Sequence, residues 1–303
     1  MILQCCPVPS SNPRMLLRSL ASPADTIIYD LEDSVAPAHK HAARTALRHF
    51  LAHHSGQPRG NAHSAVAIRV NAVGTEWFDS DVRDLLHHPS ITTLVLPKTH
   101  SPQELDALAS AVHATAPGRA LEVVASIESA RAMWGLGAIA GWRAQQGGGA
   151  VTFAAEDYCA DTGIQRTRSR RELLYPRARL ATAAKAFGLR AIDMVCVDYK
   201  DEAVAREEAQ EAREMGYDGK QAIHPSQVPL YNALFVPSPT ELRRAALILA
   251  GMERANARDG AGAFGLDIDG RSEMIDEPMV KQARELLRRA SAAGVHVPDG
   301  GDG

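Results

Sequence analysis

The chain has 303 residues, 45% of them hydrophobic and 23% charged, which predicts an ordinary soluble globular protein of one large domain or two smaller ones. A net charge of −3 gives no basic face for nucleic acid, no run of about 18 apolar residues is available to span a membrane, and the first residues lack the basic-then-apolar pattern of a secretory signal. The four cysteines, Cys5, Cys6, Cys159 and Cys196, contain no C-x-x-C and predict buried thiols in a reducing compartment, the cytoplasm or alternatively the mitochondrial matrix.

In chain order, short apolar runs predict strands at Met1–Cys6, Thr26–Tyr29, Ala65–Val70, Thr92–Pro97, Leu121–Ile127, Ala150–Ala155, Ala191–Val197 and Lys220–Ile223. Most are rich in β-branched residues, which suits strands buried on both faces. The stretches between them have helical spacing. Ala43, Leu47, Phe50 and Leu51 share a face, as do Leu105, Leu108 and Val112 behind a first-turn Pro102. Two later helices close at Gly188 and Gly216, and Pro176 must kink or restart the first of these. Eight alternations of strand and helix predict an α/β fold of the (β/α)8 TIM-barrel type over residues 1–236. A doubly wound open sheet is the competitor, but "PVPSSNPR" is not its Gly-rich phosphate turn.

In a barrel, function gathers where strands end. Strand two ends in Asp30, Glu32 and Asp33, strand three in Arg69 and Asn71, and strand four in Lys98. Strand five gives Glu128, strand six Glu156 and Asp157, strand seven Asp193 and Asp198, and strand eight His224. Each has a plainer reading: Glu128 as a helix cap, Asp157 as a partner for loop amides, Lys98 and Arg69 as rim ion pairs, His224 as turn structure. All of them together at successive strand ends favour function. Carboxylates without a cysteine or histidine cluster suit a hard cation such as Mg²⁺, which needs only one or two direct carboxylates. Arg69 and Lys98 would then meet an anionic substrate, and metal beside arginine suits a 2-keto acid.

The segment from Pro237 onward predicts a helix with Leu242, Ala246 and Leu249 on one face. A hairpin at Asp269-Gly270 follows, then a helix begun by Pro278 with Met279, Ala283 and Leu286 aligned. Residues 237–303 are not needed to close a barrel, so a helix–hairpin–helix lid and oligomerisation extension is expected. Asp276, at the hairpin-to-helix junction, reads equally well as an N-cap.

The motifs "DTIIYDLEDSVAPAHK", "IRVN", "LPK", "SIESARA", "AAEDYCADTG", "GYDGKQAIHPSQV" and "MIDEPMVKQARELLRRA", in this order, resemble the citrate lyase β-subunit-like and malyl-CoA and citramalyl-CoA lyase family within the HpcH/HpaI aldolase superfamily. The likeness runs from about Pro7 to about Ala293. It implies a barrel with a C-terminal extension, a Mg²⁺ ion, a homotrimer or hexamer, and reversible cleavage of a small 3-hydroxyacyl-CoA into acetyl-CoA (or propionyl-CoA) and a 2-keto acid. It also implies Glu128 and Asp157 as metal ligands, Arg69 beside the keto acid and thioester oxygen, and Glu32 and Asp33 as acids behind the metal's waters. Asp276 would be lent to a neighbouring subunit, and Lys98, Arg14 and His224 would face the CoA thioester. A malyl-CoA thioesterase or malate synthase-like outcome, and a citrate lyase complex subunit acting on an acyl-carrier thioester, remain as alternatives.

Overall fold

The computed structural model describes residues 5–54, 59–62, 64–145, 149–259, 262–268 and 270–296. The chain divides into two compact units between Asn232 and Ala233.

The first unit runs β1 (Cys5–Pro9), α1 (Pro13–Ser19), β2 (Thr26–Asp30), α2 (Lys40–His54), β3 (Ala65–Arg69), α3 (Phe78–Leu85), β4 (Ile91–Leu96) and α4 (Pro102–Thr115). It continues with β5 (Glu122–Ile127), α5 (Ala130–Trp134), α6 (Leu136–Gln145), β6 (Ala150–Phe153), α7 (Ala155–Thr162), α8 (Leu174–Ala186), β7 (Arg190–Asp193), α9 (Glu202–Glu214) and β8 (Gly219–Lys220), and α10 (Gln227–Phe235) follows. Strands β1 to β8 form one sheet in sequence order, every recorded pair parallel. The architecture is therefore α/β with an eight-stranded parallel sheet, and each crossover carries at least one helix.

The first strand is not the expected Met1–Cys6. Residues 1–4 and the side chains of Cys5 and Cys6 lie outside the described set, and β1 extends to Pro9. The prolines fit because of strand alternation. Ser10 N donates to Asp30 O (3.0 Å), so the amide of Val8 also faces β2. Pro7 and Pro9, which have no N–H, face the opposite edge of β1, where they cannot donate to a ladder. Among the described residues no ladder joins β1 to β8.

Parallel pairing puts register partners on the same face of the sheet. One row runs Asp30, Arg69, Val95, Val124, Ala150, and a second runs Ser126, Thr152, Ile192. The apolar members of both rows, with Ile28 and Ala67, form a buried cluster on the inner face. The alternate residues face the helices, among them Ile27, Tyr29, Ile68 and Phe153, all fully buried.

Period-two alternation corrects one expected rim residue. Ile192 faces inward, so Asp193 does not; it is fully buried and accepts from Arg177 Nε (3.1 Å) and Nη2 (3.0 Å) and Lys220 Nζ (3.2 Å). Burial alone would raise its pKa, but Lys220 and Arg177 hold it below the usual carboxylate range. Asp193 is part of a buried ionic cluster with Glu208 and Glu211, not of the strand-end rim.

The second unit carries α11 (Pro239–Asp259), an antiparallel pair β9 (Phe264–Ile268) and β10 (Arg271–Ile275), and α12 (Glu277–Ala292). Asp269 lies outside the described residues, while Gly270 has the positive φ (+77°) that the turn requires. Ala245, Ile248, Met252, Ile275, Val280 and Ala283 form this unit's own core. No helix among the described residues is long and apolar enough to cross a membrane.

Candidate active site at the strand ends

The acidic end of β2 resolves into distinct roles. Asp30 is fully buried and gripped by Arg69, whose Nε and Nη2 donate to its two carboxylate oxygens (2.7 and 2.6 Å). The amides of Glu32 (2.9 Å) and Ser34 (3.2 Å) donate to the same carboxylate. Burial works against ionisation of Asp30, but the Arg69 contacts outweigh it and the pKa is lowered. Burial likewise opposes the Arg69 charge, and Asp30 more than offsets it, so that pKa rises. The sequence reading passed over this pairing. It follows from the register of β2 on β3, where Asp30 and Arg69 are direct partners.

Glu32 is buried and lies between two cations. Lys98 Nζ bonds one of its oxygens, and Arg69 Nη1 stands 3.2 Å from the other without hydrogen-bond geometry, leaving that buried oxygen without a hydrogen bond. Burial pushes the Glu32 carboxyl up, and Arg69 and Lys98 oppose that push. The loop is braced from behind, because Lys40 Nζ donates to the carbonyls of Leu31 and Glu32 (2.8 Å each). Asp33 turns toward solvent, 3.3 Å from Lys98 Nζ. Lys98 has φ +50°, a left-handed conformation that costs energy for a non-glycine residue. The contacts with Glu32 and Asp33 accompany that strain, and they raise the Lys98 pKa against the effect of burial.

Glu128 follows β5 and is buried at 5% exposure. The plainer cap reading for it does not hold, since Ser129 Oγ caps α5 by accepting from Ala132 N (3.1 Å). Burial is the main force pushing the Glu128 carboxyl up to about 7; a hydrogen bond to Ser126 opposes it, and the charges of Asp157 and Glu32 add to it. Asp157 lies in the first turn of α7, where burial and then Asp33 raise its pKa. Asp157 adds to the proton affinity of Glu128, and both carboxyls, pushed up first by burial, are short of positive charge around them. Among the described residues no three His, Cys, Asp or Glu side chains converge as a metal cage. An all-oxygen pair with too little positive charge fits a hard cation that keeps most of its own waters, and does not fit zinc.

A cavity of about 310 Å³ opens here, lined from Pro7 and Pro9 of β1 round to Gln221 and Ile223 beyond β8. Asp30, Asp33, Arg69 and Asp157 reach it, as does Thr152, which the sequence reading did not single out. Among the expected residues, Glu32, Lys98 and Glu128 stand behind its lining, and His224 and Arg14 do not line it either. His224 stacks on Tyr199 (4.8 Å between ring centroids), with Nδ1 bonded to Ser226 Oγ (2.7 Å). Arg14 is exposed in the first turn of α1, where its backbone amide bonds the capping Asn12 (3.2 Å). Asp276 lies in the second unit and caps α12, its carboxylate accepting from Met279 N at 3.4 Å.

Fold and site together define a parallel α/β protein whose strand ends bring an arginine–carboxylate pair and Asp157 to one cavity, with the buried carboxyl of Glu128 behind it. Residues 5–225 match the family described as HpcH/HpaI aldolase/citrate lyase, and the chain belongs to that family. Citramalyl-CoA lyase, mitochondrial, of Rattus norvegicus is 29% identical over 296 residues, covering 94% of this chain and 85% of that protein. Citrate lyase subunit beta of Escherichia coli K12 is 31% identical over 293 residues, covering 95% and 93%. Among solved structures, CitE from Mycobacterium tuberculosis in complex with magnesium, acetoacetate and coenzyme A matches with a TM-score of 0.73 at 32% identity, covering 95% of this chain and 97% of that one.

Proposed function

We propose that this chain is a magnesium-dependent carbon–carbon lyase. It reversibly cleaves a small 3-hydroxyacyl-CoA, such as malyl-CoA or citramalyl-CoA, into acetyl-CoA and a 2-keto acid. The observation that carries the reading is the closeness of buried Glu128 to Asp157, both carboxyls raised in pKa, with Asp157 and Arg69 lining one cavity. Contributions to that cavity from β1 round to the segment after β8 support closure of the sheet as a (β/α)8 barrel.

Glu128 and Asp157 hold the cation, with Glu32 and Asp33 facing its waters. The ion, when bound, supplies positive charge to the oxygens of the keto acid and lowers the barrier to forming or breaking the adjacent bond. Arg69, held in orientation by both oxygens of Asp30, presents its remaining N–H groups to the substrate's carboxylate or thioester oxygen. In the direction of synthesis, the Asp276 carboxylate of a neighbouring subunit takes a proton from the methyl carbon of acetyl-CoA. That carbon's electron pair forms the bond to the keto carbon as the carbonyl's π pair moves onto its oxygen, which takes a proton from solvent to become the hydroxyl; in cleavage the hydroxyl gives up that proton and Asp276 returns its own to the methyl carbon. Lys98, Arg14 and His224 face the CoA arm, residues 237–303 form the lid and oligomer contact of a homotrimer or hexamer, and the enzyme works in the cytoplasm.

The test is incubation with acetyl-CoA and glyoxylate, pyruvate or oxaloacetate, with and without Mg²⁺, read by mass spectrometry. A Mg²⁺-dependent 3-hydroxyacyl-CoA is expected, and its absence with all three acids rejects the reading. Glu128→Gln and Asp157→Asn are expected to abolish that turnover with the fold intact, and wild-type rates at low Mg²⁺ in either would reject the metal assignment.

A further inference from the structure

The inner face of the sheet below the strand-end carboxylates carries information about the keto acid. Thr152 is 5% exposed, lines the cavity, and its hydroxyl has no hydrogen-bond partner in the protein. A buried hydroxyl left unpaired is unfavourable, so it is matched by something that enters the cavity, either water or a ligand oxygen. Ser126, its register partner, is engaged with Glu128 and is not equivalent to it. On the other side of Thr152 the register partner is Ile192, and Ile28, Val95 and Val124 complete an apolar floor.

Position sets what reaches this hydroxyl. Glu128 lies two residues beyond Ser126, and Thr152 is level with Ser126, so the Thr152 backbone sits roughly 7 Å down the strands from that of Glu128, whose carboxylate reaches back to Ser126. A three-carbon keto acid held beside the Glu128 carboxylate by its own carboxylate and carbonyl has its third carbon one bond beyond the carbonyl, and with that carbon directed down the cavity an oxygen on it comes level with this hydroxyl. The charges available there are restrictive. Arg69 is the one cation among the residues lining the cavity, and Asp30 already occupies two of its N–H groups. A second carboxylate, carried on the third carbon, would lie over Ile28, Val95 and Val124 with no cation of its own, and burying an unpaired charge is costly.

We infer that the lower cavity selects the keto acid. It accepts one whose third carbon carries a small uncharged group, and the Thr152 hydroxyl is the hydrogen-bond partner for an oxygen on that carbon. The inference rests on the lyase reading and narrows it to pyruvate-like acids over dicarboxylic ones.

The experiment measures kcat/KM with acetyl-CoA and Mg²⁺ for pyruvate, hydroxypyruvate and oxaloacetate, in wild type, Thr152→Val and Thr152→Ser. Thr152→Val, close in shape but without the hydroxyl, lowers the hydroxypyruvate-to-pyruvate ratio by about 10-fold, the worth of one buried hydrogen bond. Thr152→Ser restores most of that ratio. Oxaloacetate is used at least about 100-fold less well than pyruvate by the wild type, the scale of an unpaired buried charge. A ratio that Thr152→Val leaves unmoved, or oxaloacetate used as well as pyruvate, overturns the inference. Melting temperatures of both variants separate loss of the contact from loss of the fold. If the wild type turns over none of the acids, the lyase reading has failed; calorimetric binding of the same acids with Mg²⁺ still ranks them, and equal binding of all three then overturns the selectivity as well.

Discussion

Asp161→Ala should weaken the binding of Mg²⁺ far more than it weakens the fold. Asp161 lies on α7 one turn beyond Asp157, so the two share a helix face. Its Oδ2 accepts from Ala130 N at 2.8 Å, and Ala130 lies two residues past Glu128. One carboxylate therefore ties the segment bearing Glu128 to the helix bearing Asp157. From the other side, His100 Nδ1 meets Ser129 Oγ at 2.8 Å. Without the Asp161 carboxylate, water can reach the Ala130 amide because the contact is exposed, so the stability cost is about 1 kcal/mol. The separation of Glu128 and Asp157, the proposed ligands, is no longer fixed, and loss of an outer partner of a metal ligand typically costs about 10- to 100-fold in affinity. Asp161→Asn removes the charge but keeps an acceptor oxygen, so it separates field from geometry and should stay within about threefold of wild type, as an intact hydrogen bond requires. Titration calorimetry with Mg²⁺ gives the affinities, and urea unfolding gives the stabilities. Equal Mg²⁺ affinity in Asp161→Ala and wild type, both folded, would refute the strut. Equal weakening in Asn and Ala would assign the effect to charge alone.

Arg69→Lys should not be conservative: an ammonium cannot bond both oxygens of Asp30 and also present a donor pair to the substrate, and loss of one charged hydrogen bond predicts a fall of about 10- to 100-fold in kcat/KM for the keto acid. Unchanged steady-state kinetics would remove Arg69 from the site. Asp193, whose pKa is lowered in the fold, adds stability that is complete above the ordinary aspartate value of about 3.9 and is lost as pH falls through its lower folded value. Urea unfolding from pH 5 down to pH 2 should therefore show stability falling with pH, and Asp193→Asn should show a shallower fall; identical slopes would refute the assignment.

The strands were legible because buried parallel strands are short continuous apolar runs, and strand-end residues such as Arg69, Glu128 and Asp157 could be placed from where those runs stop. Helix punctuation was legible for the same local reason. Gly188 and Gly216 take positive φ (+67° and +87°) at helix ends, and Pro176 falls in the first turn of α8, where its missing N–H costs nothing. What could not be read depends on register and phase. That Asp30 belongs to Arg69 requires knowing which residue of β3 stands beside it, a contact 39 positions apart in sequence. That Asp193 turns to the helices requires a one-residue phase within "AIDM", and the neighbouring Ile192 faces the cavity instead. Thr152 gave no signal at all, because a threonine in a strand is ordinary until its hydroxyl is found without a partner.

Asp276 is the residue whose two readings are hardest to separate by sequence and easiest to separate by substitution. In the structure its carboxylate caps α12, directly ahead of Glu277 and Pro278. A cap is all the second unit's own geometry asks of it. Asparagine caps as well as aspartate does, so Asp276→Asn should leave α12 and the Ile275–Val280–Ala283 core in place, at a cost of a few tenths of a kcal/mol. Asparagine cannot take a proton from carbon, so under the proposed mechanism the same variant should lose nearly all turnover while keto acid and CoA thioester still bind. Retained turnover would leave Asp276 as a cap and nothing more. If turnover is lost, mixing decides whose site it serves. Asp276→Asn and Glu128→Gln subunits, each inactive alone, should recover part of the activity once exchanged, because some sites then combine an intact strand-end face from one chain with an intact Asp276 from another. Subunit exchange demonstrated by mass spectrometry without any return of activity would rule out the shared site.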